Sequence, residues 1–402
     1  MKPLIYSFTY IILIFLILSS CAEKEEIINP TIDEQEKFIG DVSFSLTLDN
    51  GTDERAELSF ESFNDSQEIN NSTIGKGQLI DYLYLMALDS KNNPIDFTVS
   101  DKNGEYTCHK DSKIIEIRKP FTSSDGVYRL VIPFYAETDK VIFWAQCGKA
   151  KTLTQDMPAL FDLSSLPVVG IDYKSALNND ESRDAFCAVY TRKHDGYLGV
   201  EEIVLQRPFA QVNLGSVLDD FEGAKTDLNL YISETRMEVS GVANRYDLVT
   251  GACYFIDDDY FNESTDYPIS FEQTPIFSSP NDYLYYLMGS SGSPAEGDTS
   301  ATPEDTGKLV YEKSRWISMS YFLPLGSKMI SSTVNLRFTL AGIRKEKDME
   351  VPYSNILELK NVPVKHNNQT NIVGWIISTK PKIYVQLSPD FNKDSSEFFD
   401  PE

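Results

Sequence analysis

The residues that most often carry catalysis or bind metals are scattered along this chain. Its three histidines, His109, His194 and His366, lie on separate segments, and none begins an H-E-x-x-H motif or pairs with a second ligand at a metal-binding spacing. The sequence contains no G-x-S-x-G motif, P-loop or dinucleotide fingerprint. Three acids at 257–259 could bind calcium, but the EF-hand spacing and glycine are missing, which favours a solvated turn. We therefore expect no enzymatic activity, no metal site and no cofactor.

Five cysteines are present, and the first differs in context from the other four. Cys108, Cys147, Cys187 and Cys253 are widely spaced with no C-x-x-C, so a zinc or redox site has no support. Buried free thiols or one disulfide are both compatible with this spacing.

Cys21 ends an N-terminal segment with the three parts of an export signal. Lys2 is the positive start, an apolar run covers 4–18, and two serines precede the cysteine. The run is too short to cross a bilayer, and Leu-Ser-Ser-Cys resembles the bacterial lipobox, in which the cysteine sulfur receives a diacylglycerol. The resemblance implies an outer-membrane lipid anchor through Cys21. The alternative is an uncleaved signal anchor with a chance cysteine.

The charge balance excludes some partners. The formal net charge of −25 repels nucleic acid and anionic lipid, so we expect no nucleic-acid partner. The acids directly after Cys21 resemble the surface-export signal of Bacteroidetes lipoproteins, which implies a position on the cell surface.

Hydrophobic residues alternate with polar ones along most of the chain. Val42, Phe44, Leu46 and Leu48 alternate with serine and threonine, and the same period recurs at 334–340 and 383–387. Further strand candidates are 78–88, 127–134, 139–146, 209–214, 227–232, 283–288 and 316–323. Only 216–225 could form a short helix. This pattern predicts an all-β fold of antiparallel sandwiches.

A chain of 402 residues is too long for one core. We expect a signal peptide at 1–20, a flexible stalk at 21–40, one β-sandwich at 41–199 and a second at 200–402, with the break in the polar stretch 191–199. Residues 289–307 are a low-complexity loop, either a tolerated insertion or a variable contact surface. Trp144, Trp316 and Trp375 all lie in apolar strand patterns, which favours core packing over a sugar platform.

Four stretches together resemble a known family. They are "VIFWAQ" (141–146), "DAFCAVY" (184–190), "LQRPFAQVNLG" (205–215) and "NVPVKHNNQTNIVGWIIS" (361–378). The set is similar to the fimbrillin-like surface lipoproteins of Bacteroidetes, relatives of the subunits of type V pili. The resemblance implies two tandem transthyretin-like β-sandwiches and assembly by strand exchange. In that family an arginine-specific protease cuts after the first strand, and a C-terminal strand of another subunit fills the groove.

Carried onto this chain, the resemblance identifies a removable strand and a cleavage point. Val42, Phe44, Leu46 and Leu48 would form the removable strand, and Arg55 in the loop after it would be the processing site. Arg55 could also be a solvated loop arginine. Donor candidates are 371–378 and 383–388; if both complete their own sheet, the chain would be a tip, anchor or accessory subunit. Arg207 and Pro208 are interpreted as structural.

The leading hypothesis is a non-enzymatic cell-surface lipoprotein of fimbrial type, a pilus subunit or adhesin. Its partners would be other fimbrial subunits, in a homo- or hetero-polymer, or a host or bacterial surface ligand. A surface glycan-binding lipoprotein with exposed tryptophans is the alternative. A secreted hydrolase would need acids or histidines clustered in a cleft.

Overall fold

The structure is a computed structural model that describes most of the chain from residue 38 onward. The described residues are 38–48, 80–100, 106–122, 126–148, 161–173, 177–179, 183–193, 199–217, 219–220, 223–224, 229–256, 267, 269–271, 274–275, 283–288, 310–327, 332–347, 349–377, 382–388 and 397–399. The predicted loop at 289–307 therefore lies outside them, as do the signal peptide and the stalk up to residue 37.

Within these residues the chain forms twenty-six strands. The first thirteen are β1 Phe38–Leu48, β2 Tyr82–Leu88, β3 Pro94–Ile95, β4 Tyr106–His109, β5 Ile114–Arg118, β6 Tyr128–Tyr135, β7 Lys140–Gln146, β8 Phe161–Asp162, β9 Val168–Ile171, β10 Ala185–Thr191, β11 Val200–Leu205, β12 Ala210–Val217 and β13 Leu230–Ser240. The remainder are β14 Val242–Ala243, β15 Arg245–Asp247, β16 Ala252–Tyr254, β17 Ile269–Ser270, β18 Thr274–Pro275, β19 Tyr283–Met288, β20 Val310–Pro324, β21 Gly326–Ser327, β22 Ser332–Glu346, β23 Met349–Val364, β24 Gln369–Trp375, β25 Lys382–Ser388 and β26 Glu397–Phe399.

The all-β prediction is confirmed. α-Helical backbone among the described residues is confined to 219–220 and 223–224, inside the stretch where the sequence allowed a short helix. No helix in the described part of the chain has the length and apolar composition to cross a membrane.

The strands form five sheets, which we number by their first strand in chain order, with the short-stranded sheet last. Sheet 1 has the order β11-β1-β6, and sheet 2 has the order β10-β7-β2-β5-β4 with β3 beside β2. Sheet 3 runs β14-β20-β12-β24-β25-β26 with β19 on β20, and sheet 4 runs β17-β13-β22-β23 with β18 on β13. Sheet 5 runs β21-β16-β15-β9-β8. β1 pairs with β11 and β12 pairs with β24 in parallel, within a mainly antiparallel fold.

Among the described residues, apolar side chains form two cores. The first core lies between sheets 1 and 2 and includes Val42, Phe44, Leu46, Leu83, Leu85, Phe134, Phe143 and Phe186. The second core joins sheets 3, 4 and 5 and also takes the opposite face of sheet 2, through Tyr84, Met86, Ile142 and Trp144. Sheet 2 is thus buried on both faces, which explains why β2 and β7 are continuous apolar runs without alternation.

The boundary at 199/200 between two sandwiches stays a prediction. The described residues from Gly40 onward form one compact unit by their contacts. β11, just after the predicted boundary, pairs with β1, and β9, before it, pairs with β15. β1 begins at Phe38, within the last residues of the predicted stalk.

Candidate functional site

The predicted removable strand is β1, and β1 is the middle strand of sheet 1. β11 lies parallel to it on one side and β6 lies on the other. The parallel register runs from Ser43 opposite Val200 to Leu48 opposite Leu205, and the Ser43 amide donates a hydrogen bond to the Gly199 carbonyl at 3.0 Å. Because β1 separates β6 from β11, its loss would leave both neighbours with unpaired backbone groups.

The inward face of β1 belongs to the first core. Val42, Phe44 and Leu46 are fully buried, and Leu48 is partly buried against the same core. At about 1.5 to 3 kcal/mol for each fully buried side chain, the three contribute about 5 to 9 kcal/mol. That is comparable with the whole stability of a typical domain, about 5 to 15 kcal/mol.

Phe44 is the best-anchored residue of the strand. Its ring centroid lies 5.1 Å from that of Tyr190 and 5.3 Å from that of Phe143, both in edge-on geometry, and 6.2 Å from that of Phe134. These rings come from β10, β7 and β6, so one side chain of β1 ties together three strands in two sheets. The edge-on geometry is the favourable arrangement of aromatic quadrupoles.

The neighbouring strand β11 carries one polar residue into this region. Glu201, opposite Phe44, accepts hydrogen bonds from the Lys193 ammonium at 3.0 and 3.1 Å and from the Tyr190 hydroxyl at 3.4 Å. Burial, together with the nearby Glu201 carboxylate, raises the pKa of the Tyr190 phenol. The phenol therefore stays protonated as a donor and holds the ring that packs on Phe44.

The outward face of sheet 1 exposes apolar residues at its edge. β11 is the last strand of the sheet, and Val200 and Val204 are 67% and 53% exposed. The outward residues of β1, Ser43, Ser45 and Thr47, are polar and half-buried. β1 thus has the one-sided apolar pattern that fits a groove with one wet face.

Several predicted sites fall outside the described residues: the lipidation residue Cys21, the processing residue Arg55, His194 and the acids at 257–259. They remain expectations from the sequence. In the part of the chain that is described, no group of three or more histidine, cysteine, aspartate or glutamate side chains is arranged to hold a metal ion.

All four cysteines of the body are free thiols, so the disulfide alternative is wrong; Cys187 and Cys253 are buried as expected, whereas Cys108 is exposed and Cys147 is half-buried. The sequence did not reveal that Cys253 Sγ lies 3.8 Å from Nε2 of His366, whose Nδ1 contacts the Pro208 carbonyl. Burial raises the pKa of the Cys253 thiol to about 12, with the nearby Cys187 adding to the shift. A thiol with this pKa is protonated at neutral pH, so the contact does not form an activated nucleophile.

Arg207 lies in the segment between β11 and β12, and its side chain contacts residues at the beginning of β10. It is completely buried, and its Nε donates to both carboxylate oxygens of Asp184 at 2.9 and 3.0 Å. Its guanidinium lies 4.1 Å from the ring centroid of Phe186, and its backbone amide donates to Asn367 Oδ1 at 3.3 Å. These contacts fix the chain between β11 and β12, a structural role.

The tryptophans differ in accessibility. Trp144 is fully buried and its indole N–H donates to Gln146 Oε1 at 2.7 Å, so it cannot form a sugar platform. Trp375 is half-buried, and the side chain of Trp316 lies outside the described part.

Several solved structures similar to this chain come from species of Bacteroides and Parabacteroides. A candidate cell adhesion protein from Bacteroides eggerthii has a TM-score of 0.38 and 8% identity, with 87% of this chain and 95% of that chain covered. A candidate adhesin from Bacteroides thetaiotaomicron has a TM-score of 0.35 and 10% identity over 87% and 96% of the two chains. A fimbrial assembly protein from Parabacteroides distasonis has a TM-score of 0.32 and 12% identity over 89% and 98%.

No curated protein matches the chain. A family model does match, over residues 134–399, from the end of β6 to the end of β26 and thus about two thirds of the sequence. The chain therefore belongs to the family of unknown function DUF6562.

Proposed function

We propose that this chain is a non-enzymatic cell-surface lipoprotein of fimbrial type, a pilus subunit or accessory adhesin that takes part in strand exchange. The observation that carries the proposal is the position of β1, which is the middle strand of sheet 1 and has one face in the first core. Once a strand in this position has left, the backbone pairing of β6 and β11 and the cover of the first core are restored only when another strand replaces it.

The replacement would restore two kinds of interaction. Main-chain amides and carbonyls of β6 and β11 would pair with the incoming strand by β-augmentation. Alternate apolar side chains of that strand would refill the sites of Val42, Phe44 and Leu46. Because both terms are large, the assembled state would be slow to reverse.

The chain offers one point at which β1 could be severed from the rest. Arg55 is the only arginine before Arg118 and follows the end of β1 by seven residues. A cut there would separate the body from β1 and from the lipid that we propose on Cys21, which would otherwise hold the protein on the outer membrane.

The C-terminal strands favour an accessory, tip or anchor position over a repeating shaft. The two donor candidates largely coincide with β24 and β25, and β24 pairs with both β12 and β25 within its own sheet. β25 pairs further with β26. We infer that the chain accepts a strand and that neither of the two donor candidates is spare.

The test is exchange of β1 after cleavage. The non-lipidated protein from residue 22 onward is treated with an arginine-specific protease, and the Arg55→Lys variant is the control. We expect a body fragment that begins at Ala56 and retains the β1 fragment until an excess of labelled peptide 38–48 displaces it. A peptide with Ser45→Ala should exchange as well as the natural one, and a peptide with Phe44→Ala should not.

Two results would contradict the proposal. One is a body that, once cut at Arg55, neither releases β1 nor takes up the peptide. The other is uptake that does not depend on Phe44. The anchor is tested separately, since Cys21→Ser should move the protein from the membrane fraction to the soluble fraction in a cell that processes lipoproteins.

A further inference from the structure

A polar cleft lies on sheet 4, away from the strand-exchange site in the fold. Tyr267, Asn335, Glu358, Lys360 and Asn361 line it, and its volume is about 450 Å³. This volume lies within the range of small-molecule sites, about 300 to 1,000 Å³.

The backbone at the cleft departs from a regular ladder. Where β22 meets β23, Asn335 faces two residues, Lys360 and Asn361, so the hairpin has a β-bulge. Asn361 has a left-handed φ of 56°, which permits the bulge. Its amide donates to Asn335 Oδ1 at 3.1 Å, and Asn335 Nδ2 donates to Ser240 Oγ at 3.3 Å. Because of the bulge, the consecutive side chains of Lys360 and Asn361 both line the cleft. The Asn335 side chain is fixed by its hydrogen bonds to Asn361 and Ser240.

A second set of contacts fixes the aromatic and acidic walls. The Arg337 guanidinium lies 4.2 Å from the ring centroid of Tyr267. The same group donates to Glu358 Oε1 at 3.0 Å and to Glu238 Oε2 at 3.4 Å. Tyr267 and Glu358 are therefore positioned before any ligand arrives, which lowers the entropic cost of binding.

Two lining side chains have their polar groups uncommitted. Within the described part of the chain, the Lys360 ammonium and the Asn361 carboxamide form no hydrogen bond or ion pair. The charges at the cleft cancel, because Lys360 and Arg337 are balanced by Glu358 and Glu238. A charged ligand would meet a repulsive partner at close range, whereas a neutral ligand with many hydroxyl groups would find both donors and acceptors.

We propose that this cleft binds a neutral saccharide, with the carboxamides of Asn335 and Asn361 and the Lys360 ammonium hydrogen-bonding sugar hydroxyls beside the Tyr267 wall. The site is separate from β1, so it does not depend on the strand-exchange proposal. It also differs from a tryptophan platform, since none of the described residues that line it is a tryptophan.

The positive φ of Asn361 allows a substitution that removes the side chain without straining the backbone. Asn361→Gly removes the carboxamide while glycine keeps the positive φ at little cost. Asn92→Gly is the matched control, because Asn92 also has a left-handed φ, of 65°, in the turn after β2. Lys360→Ala tests the second uncommitted group.

The full-length non-lipidated protein is applied to an array of neutral, uronic-acid-containing and sialylated oligosaccharides, and the best neutral hit is titrated by calorimetry. We expect Asn361→Gly and Lys360→Ala each to raise Kd about tenfold, and Asn92→Gly to leave it within about twofold. The assignment is overturned if no neutral oligosaccharide binds, if only acidic ones bind, or if the affinity survives both cleft substitutions.

Discussion

Replacing Phe44 with alanine is the most direct test of whether β1 completes the first core. Phe44 is 1% exposed and touches rings on three other strands. The substitution removes the transfer free energy of the ring, leaves a cavity and deletes two edge-on aromatic contacts. Large-to-small changes of this kind cost about 3 to 5 kcal/mol. Since Tyr190, Phe143 and Phe134 belong to paired strands, the cavity can collapse only by moving backbone, and we expect the upper half of that range.

The assay is urea unfolding of the non-lipidated protein, followed by circular dichroism. Ser45→Ala is the control, because Ser45 is the next residue of the same strand and lies on its outer, half-buried face; we expect a change within about 0.5 kcal/mol. Leu46→Ala should cost about 2 to 5 kcal/mol, and Leu48→Ala less, since Leu48 is only partly buried. A Phe44→Ala loss below about 1 kcal/mol, or one equal to that of Ser45→Ala, would refute the reasoning.

Four further predictions concern the body of the protein. Arg207→Met leaves the Asp184 carboxylate buried without its partner and should cost about 3 to 5 kcal/mol in urea unfolding; adding Asp184→Leu should restore much of the loss. Gly342→Ala would place a Cβ against the β13 backbone, 2.9 Å from one Cα, and should destabilise by at least about 1 to 3 kcal/mol. At pH 8 a thiol reagent should label the exposed Cys108 and spare Cys253 until the protein unfolds. Folding raises the pKa of Cys253 from 9.0 to about 12, so the contribution of this thiol to stability is complete below pH 9 and is lost as pH rises toward 12. A free energy of unfolding that stays constant between pH 9 and pH 12, and that shows the same pH dependence in Cys253→Ala, would contradict this.

Local patterns predicted the strands with one wet face and the buried apolar runs. The alternation of apolar and polar residues identified β1, β22 and β25. The apolar runs predicted β2 and β7 as strands, but they did not indicate that both faces of these strands are buried. β23, sixteen residues long, was missed. Its two prolines, Pro352 and Pro363, argue against a strand, and the structure tolerates them because β23 is the last strand of sheet 4.

The sequence could not reveal features that depend on distant pairing. Nothing local indicates that β11 lies parallel to β1, about 150 residues earlier, or that Cys253 meets His366. The cleft on sheet 4 was also missed, since it depends on the bulge at Asn335 and on Tyr267 from a different segment. An asparagine between strand-forming residues, such as Asn361, is a weak sequence signal of a left-handed backbone conformation. The β-bulge at this position can be recognised only from the pairing register of β22 and β23.

The two-sided burial of sheet 2 bears on whether β1 can be exchanged at all. A removable strand is useful only if the remaining body stays folded while the groove is empty. In a single sandwich, loss of about 5 to 9 kcal/mol of buried side chains would exceed or consume the stability of the domain. Here sheet 2 keeps its other face in the second core through Tyr84, Met86 and Trp144, which make no use of β1. The floor of the groove is therefore held by contacts independent of the strand that covers it, and an empty groove would expose the first core without unfolding the sheet beneath it.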